Sequence, residues 1–165
     1  MIVDDHPLFR AGLKSLLEKH SVFEIAGEAK NGNKGVKKAK NLKPDLVIMN
    51  LSLPDQSGIE ITRTIRNILP DTRIMMLSMH SNINYITEAF RAGALGYVVK
   101  ESATERLVEC LRAVSKGEYY LDAALSFKVV ENLMKTDGKQ TKITDDGYNS
   151  LTPREREVTR LLTEG

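Results

Sequence analysis

The sequence predicts an α/β protein built on a doubly wound, five-stranded parallel sheet. Three observations carry this. Apolar runs alternate with helical patterns from residue 2 to about residue 116. Runs such as Leu46-Val-Ile-Met49 are continuous rather than alternating, which suits strands covered on both faces. The strand–helix order repeats five times, and such repeats form one sheet with right-handed crossovers and helices on both sides.

The elements follow in order. The strands are Ile2-Val3, Phe23 to Ala29, Leu46 to Met49, Arg73 to Ser78 and Gly96 to Val99. The first is short, which predicts a chain that begins inside the domain. The helices are Pro7 to Lys19, Asn33 to Leu42, Ile59 to Ile68, Asn84 to Ala92 and Thr104 to Lys116. Pro7 suits a first helical turn, where its missing N–H would have no partner. Ser102-Ala-Thr-Glu105 reads as a capping box for the fifth helix. After Gly117 the pattern changes. Leu121 to Met134 predicts a further amphipathic helix, and "KTDGKQTKITDDGYNS" (Lys135 to Ser150) predicts a flexible linker. "LTPREREVTRLL" then opens a new helix, with Thr152 as N-cap, Pro153 first and Glu155 closing a capping box. Its single apolar stripe of Val158, Leu161 and Leu162 belongs to a domain of which only the start lies in this sequence. The expected boundaries are 1–117, 118–150 and 151–165.

Composition excludes some classes. The chain has 165 residues, of which 41% are hydrophobic and 28% charged, an ordinary globular balance. No apolar run approaches the ~20 residues that span a membrane, and no signal-peptide pattern opens the chain. A formal charge of +2 is too small to argue for nucleic acid. The lone cysteine, Cys110, rules out an internal disulfide and reads as a small buried thiol, as expected in a reducing cytoplasm. Lys34, Lys37, Lys38, Lys40 and Lys43 read as a solvated basic face of the second helix.

Open α/β sheets bind ligands at the carboxyl ends of their strands, near the switch point of strand order. The strand ends here carry Asp4-Asp5, Asn50, Ser78 and Lys100. Two adjacent aspartates offer hard oxygens to Mg²⁺. A hydroxyl and an ammonium can hold phosphoryl oxygens as charge spreads in a transition state. Such a set serves phosphoryl transfer to a carboxylate at the end of the central strand. That position is Asn50. An amide is no nucleophile for this step, but it can donate hydrogen bonds or offer an oxygen to a metal. Taken singly, Asp4-Asp5 could cap a helix, Lys100 could be a solvated surface lysine, and Ser78 could be a turn hydroxyl.

Four stretches resemble bacterial two-component response regulators: "VDDH" (Val3 to His6), "PDLVIMNLSLPDQSG" (Pro44 to Gly58), "MMLSMH" (Met75 to His80) and "AGALGYVVKES" (Ala92 to Ser102). The resemblance covers about the first 117 residues. "LTPREREVTRLLTEG" is similar to the opening of a LuxR-type helix-turn-helix domain, which points to the NarL/FixJ-like subfamily. The resemblance implies a flavodoxin-like, CheY-like receiver. It implies Mg²⁺ ligands at Asp4, Asp5 and the Ser52 carbonyl, with Asn50 beside them in the phosphoacceptor position where aspartate is expected. It implies phosphoryl contacts from Ser78 and Lys100, and a switch aromatic at Tyr97. A half-buried strand aromatic is the plainer reading of Tyr97.

With Asn50 the expected chain cannot be phosphorylated and binds Mg²⁺ more weakly. Two origins fit: a substitution in a working site, or a receiver that works without acyl phosphate as a dimerisation or sensing module. The partners implied are a sensor histidine kinase, a second copy and, for the full-length protein, promoter DNA. The second, recognition helix needed to enter the major groove lies outside this sequence, so no specific DNA binding is expected of it alone. A phosphatase on this fold would lack its nucleophile. The acidic, glycine-free "DDHP" loop is wrong for cradling a nucleotide.

Overall fold

A computed structural model describes residues 1–136. The first two residues of the expected linker, Lys135 and Thr136, belong to the last helix instead, and the rest of it and the helix from Thr152 lie outside the described residues. Six parallel strands form one sheet: β1 (Ile2–Val3), β2 (Glu28–Ala29), β3 (Leu46–Asn50), β4 (Arg73–Ser78), β5 (Gly96–Val99) and β6 (Tyr120–Leu121). Their spatial order is β2-β1-β3-β4-β5-β6. The order reverses at β1, so the switch point lies between β1 and β3. The helices are α1 (Pro7–Glu18), α2 (Gly32–Leu42), α3 (Gly58–Ile68), α4 (Ile83–Arg91), α5 (Ala103–Ser115) and α6 (Ala123–Thr136).

Strand alternation sorts the core into two layers. Ile48, Met75, Leu77 and Val98 point to the side covered by α1 and α5, where Leu13, Leu17, Leu107, Cys110 and Leu111 meet them. Val47, Met49, Ile74, Met76 and Tyr97 point to the other side, covered by α2, α3, α4 and α6. Both faces of the central strands are therefore buried, as the unbroken apolar runs require.

Three expectations are corrected. The second strand does not run from Phe23 to Ala29. Its only sheet neighbour is β1, and β1 offers Ile2 and Val3 alone, so the ladder closes after two pairs. The sheet has six strands rather than five, because Tyr120 and Leu121 pair with Gly96 and Tyr97 along the outer edge of β5. Leu125 and Val129 of α6 are then buried in the same core as α4. The capping box at Ser102 does not form. A 3-10 turn (Lys100–Ser102) precedes α5, and Ser102 has φ −97° and ψ 0°, not the extended backbone an N-cap needs. Its hydroxyl donates instead to the buried Asp122 carboxylate.

Candidate functional site

The strand ends bring the expected residues together around the switch point. Asp4 follows β1 and is almost fully buried. Its Oδ1 accepts from the His6 backbone N–H at 2.8 Å, so it shapes the turn into α1 rather than capping that helix. Its Oδ2 meets Lys100 Nζ at 2.6 Å. The Lys100 side chain is only 6% exposed, so it is no solvated surface lysine. It lies over the Phe9 ring, 4.5 Å from the centroid. The β1–α1 and β5–α5 turns are thereby joined by one buried ion pair. Arg10 of α1 adds a guanidinium bond to the Asp4 carbonyl at 2.7 Å.

Asn50 ends β3 and is 3% exposed. Its Nδ2 donates to Asp5 Oδ1 at 2.9 Å and to the Ser52 carbonyl at 2.7 Å. Two acceptors face this side-chain end, so the amide presents its NH₂ to them. Gly58 makes the close approach possible. A Cβ there would lie 2.1 Å from the Asn50 carbonyl oxygen, and its N–H donates to the Leu51 carbonyl at 2.7 Å. The glycine thus lets α3 begin hard against the end of β3.

Ser78 ends β4 fully buried, and its Oγ accepts from the His80 backbone N–H at 2.9 Å. Tyr97 on the neighbouring β5 is fully buried rather than half-buried. Its hydroxyl donates to the His80 carbonyl at 2.8 Å. Burial holds the Tyr97 phenol above its ordinary range, and the nearby Ser78 hydroxyl partly offsets this. The β4–α4 turn is therefore fastened by Ser78 from below and by Tyr97 from the side.

The sequence reading passed over two histidines. His6 lies 3.3 Å from Asp4 and 3.1 Å from Asp5 through Nδ1, and Asp4, Asp5 and His6 form the acidic cluster of the site. His80 Nε2 reaches Ser52 Oγ at 3.2 Å and its ring leans on Tyr85. His6 follows Asp5 directly and His80 stands two residues after Ser78, and this nearness to the strand ends is the signal that could have found them. Cys110 is inert, as expected: it is fully buried between α5 and Gly96, and burial pushes its thiol far above the ordinary range.

The donor set was tested against Mg²⁺. Asp5 Oδ1 and the Ser52 carbonyl are hard oxygens that now accept from the Asn50 amide. Turning that amide by half a rotation would offer its Oδ1 and free both oxygens. The residues fit the ion in ligand type. They do so with one carboxylate fewer than three, and only in competition with two hydrogen bonds.

The comparisons agree with this geometry. Residues 1–112 match the family described as the response regulator receiver domain. The chain is 31% identical over 179 residues to the transcriptional regulatory protein DegU of Brevibacillus brevis, covering all of this chain and 74% of that protein. It is 32% identical over 166 residues to the oxygen regulatory protein NreC of Staphylococcus aureus strain bovine RF122 / ET3-1, covering 100% and 76%. A crystal structure of a LuxR-family two-component response regulator from Aurantimonas sp. SI85-9A1 superposes with a TM-score of 0.78 at 34% identity, covering 81% of this chain and 96% of that one. The isolated receiver domain of RcsB from Salmonella enterica serovar Typhimurium, solved with the phosphomimetic BeF₃⁻, gives 0.71 at 26% identity, covering 76% and 93%. With that match over residues 1–112, acids at the switch point of a parallel sheet and a lysine joined to them from the turn after β5, the chain belongs to the response regulator receiver family of two-component systems.

Proposed function

We propose that this chain is the receiver switch of a LuxR-type transcriptional regulator, with Asn50 in the phosphoacceptor position and no capacity to form the acyl phosphate. Residues 1–117 are the receiver, 118–150 a helix and linker, and 151–165 the start of the DNA-binding domain. The observation that supports the reading is the pair of hydrogen bonds from Asn50 Nδ2 to Asp5 and Ser52. An amide nitrogen in that role has its lone pair delocalised into the carbonyl and attacks nothing. Ser78 and Lys100 are the phosphoryl contacts of the intact site, and Tyr97 with Ser78 forms the switch. Asp4, Asp5, the Ser52 carbonyl and the turned Asn50 amide would hold Mg²⁺, which would supply charge neutralisation there. The partners are a sensor histidine kinase, a second copy and, in the full-length protein, promoter DNA, all in the cytoplasm. Among the described residues no helix is long and apolar enough to cross a membrane.

Incubation with acetyl phosphate and Mg²⁺, read by intact-mass spectrometry, tests this. The expected result is no added mass for this chain and one phosphoryl group for Asn50→Asp. A phosphorylated parent chain, or an inert Asn50→Asp, would sink the reading. A second reading has one observation in its favour: the Asn50 amide ties Asp5 to the Ser52 carbonyl by two donated hydrogen bonds. The site would then be a phosphorylation-independent dimerisation or sensing module. Dimerisation of both forms, with and without beryllofluoride, separates the two. Dependence on beryllofluoride in the Asn50→Asp form alone supports the switch, and equal dimerisation in all four supports the module.

A further inference from the structure

Each crossover helix runs back along its strand, so α3 and α4 end at the edge of the sheet opposite the acidic site. There an open surface cleft of about 340 Å³ is lined by Arg63, Arg66, Asn67, Arg91 and Ala92. Three of these five are arginines, and among the described residues no acid lines the cleft. Glu88 stands beside it and is shared by two of them, with Oε2 at 2.7 Å from Arg63 and Oε1 at 3.4 Å from Arg91.

A structural role accounts for part of this. Arg66 Nη1 donates to the Pro70 and Thr72 carbonyls and so ties the turn into β4. Its stem lies on Gly93, where a Cβ would come within 3.1 Å of Arg66 Cγ and where φ is +101°. Arg91, in the last turn of α4, also suits the negative end of that helix. Neither explanation covers Arg63, which sits mid-helix and reaches across to α4. Nor does helix capping explain why one carboxylate gathers two guanidiniums at the cleft. A guanidinium fork matches phosphoryl oxygens in pairs. Arg66 is held by the turn, so its fork is partly ordered before any ligand arrives, which lowers the cost of binding, while Glu88 competes for Arg63 and Arg91. The lining is polar, with Asn67 as a further hydrogen-bonding group and Ala92 its small apolar wall. An apolar ligand has little to gain there.

We infer that this α3–α4 cleft is an anion site for a small phosphorylated ligand, separate from the acidic pocket at the strand ends. Pyrophosphate is the probe, with inorganic phosphate and sulfate as smaller controls, all without Mg²⁺. The full 165-residue chain is titrated and followed by ¹H–¹⁵N NMR. The expected result is saturable shifts at the Arg63, Arg66 and Arg91 side chains and at Asn67, with pyrophosphate tighter than sulfate. Arg63→Gln with Arg91→Gln should weaken binding at least tenfold. Glu88→Gln removes the competing carboxylate and should tighten binding several-fold, a gain that a purely structural Glu88 would not produce. Shifts centred on Ser78 and Lys100 would place the anion in the other pocket and overturn the inference. So would unchanged affinity in the double variant, weaker binding in Glu88→Gln, or no saturation at millimolar probe.

Discussion

The two ends of the sheet carry ion pairs of similar composition in opposite surroundings. At the strand ends, Lys100 and Asp4 are 6% and 2% exposed. At the other edge, Arg63, Glu88 and Arg91 are 47%, 45% and 56% exposed. A buried pair is dear to break, because removing one partner leaves a charge with neither water nor counter-ion. An exposed cluster is worth little to the fold, because water and salt already screen it. The strand-end site is thus built into the stability of the domain, while the arginine cleft can change partners at small cost. Both are electrostatic clusters, and burial decides how much each contributes to the fold.

The sharpest break of this comparison is Lys100→Met. It should destabilise the domain by about 3–5 kcal/mol in urea unfolding, since the buried Asp4 Oδ2 loses its ammonium partner. A loss below 1 kcal/mol would mean the pair is solvated after all. Next is Asn50→Asp without metal. It replaces two donated hydrogen bonds with a third carboxylate, and should cost about 1–3 kcal/mol. Mg²⁺ should recover more stability in that variant than in the parent, as melting curves with and without the ion would report. Gly58→Ala should cost about 1–3 kcal/mol, because its Cβ meets backbone at Asn50 rather than a side chain that can move.

Arg63→Ala at the opposite edge should cost less than about 1 kcal/mol and leave the acidic pocket's metal response unchanged. The smallest effect belongs to Asp55. It accepts from the Asn33 and Gly32 N–H groups at the start of α2, and these bonds hold its carboxyl below the usual range. A depressed carboxylate stabilises the fold above its unfolded pKa and loses that contribution as pH falls through the folded value. Asp55→Asn should therefore flatten the stability profile only below about pH 4, a change visible in acid titration by circular dichroism.

Some of this was legible early. Continuous apolar strands announced a sheet buried on both faces. Residues at the strand ends announced the pocket, because in a parallel sheet every strand delivers its last residue to the same edge. Other features were hidden for physical reasons. β6 is two residues long, and a strand that short is defined by its neighbour and not by its own pattern. Ser102 carried the spacing of a capping box, but a 3-10 turn gave its hydroxyl a different acceptor. The arginine cleft joins Arg63 and Arg91, residues of two different helices whose separation in sequence gives no sign of contact.

The sequence by itself determined the layer order and the residues offered to the site, among them an amide rather than a carboxylate at position 50. These follow from periodicity and from the chemistry of single side chains, both of which are local. Only the tertiary structure decided that Lys100 is buried against Asp4, that the Asn50 amide spans Asp5 and Ser52, and that Tyr97 lies wholly inside. Those outcomes depend on which turns meet at the switch point and how much water is left between them. Distance and burial are properties of the assembled fold, and they set the strength of every charge in it.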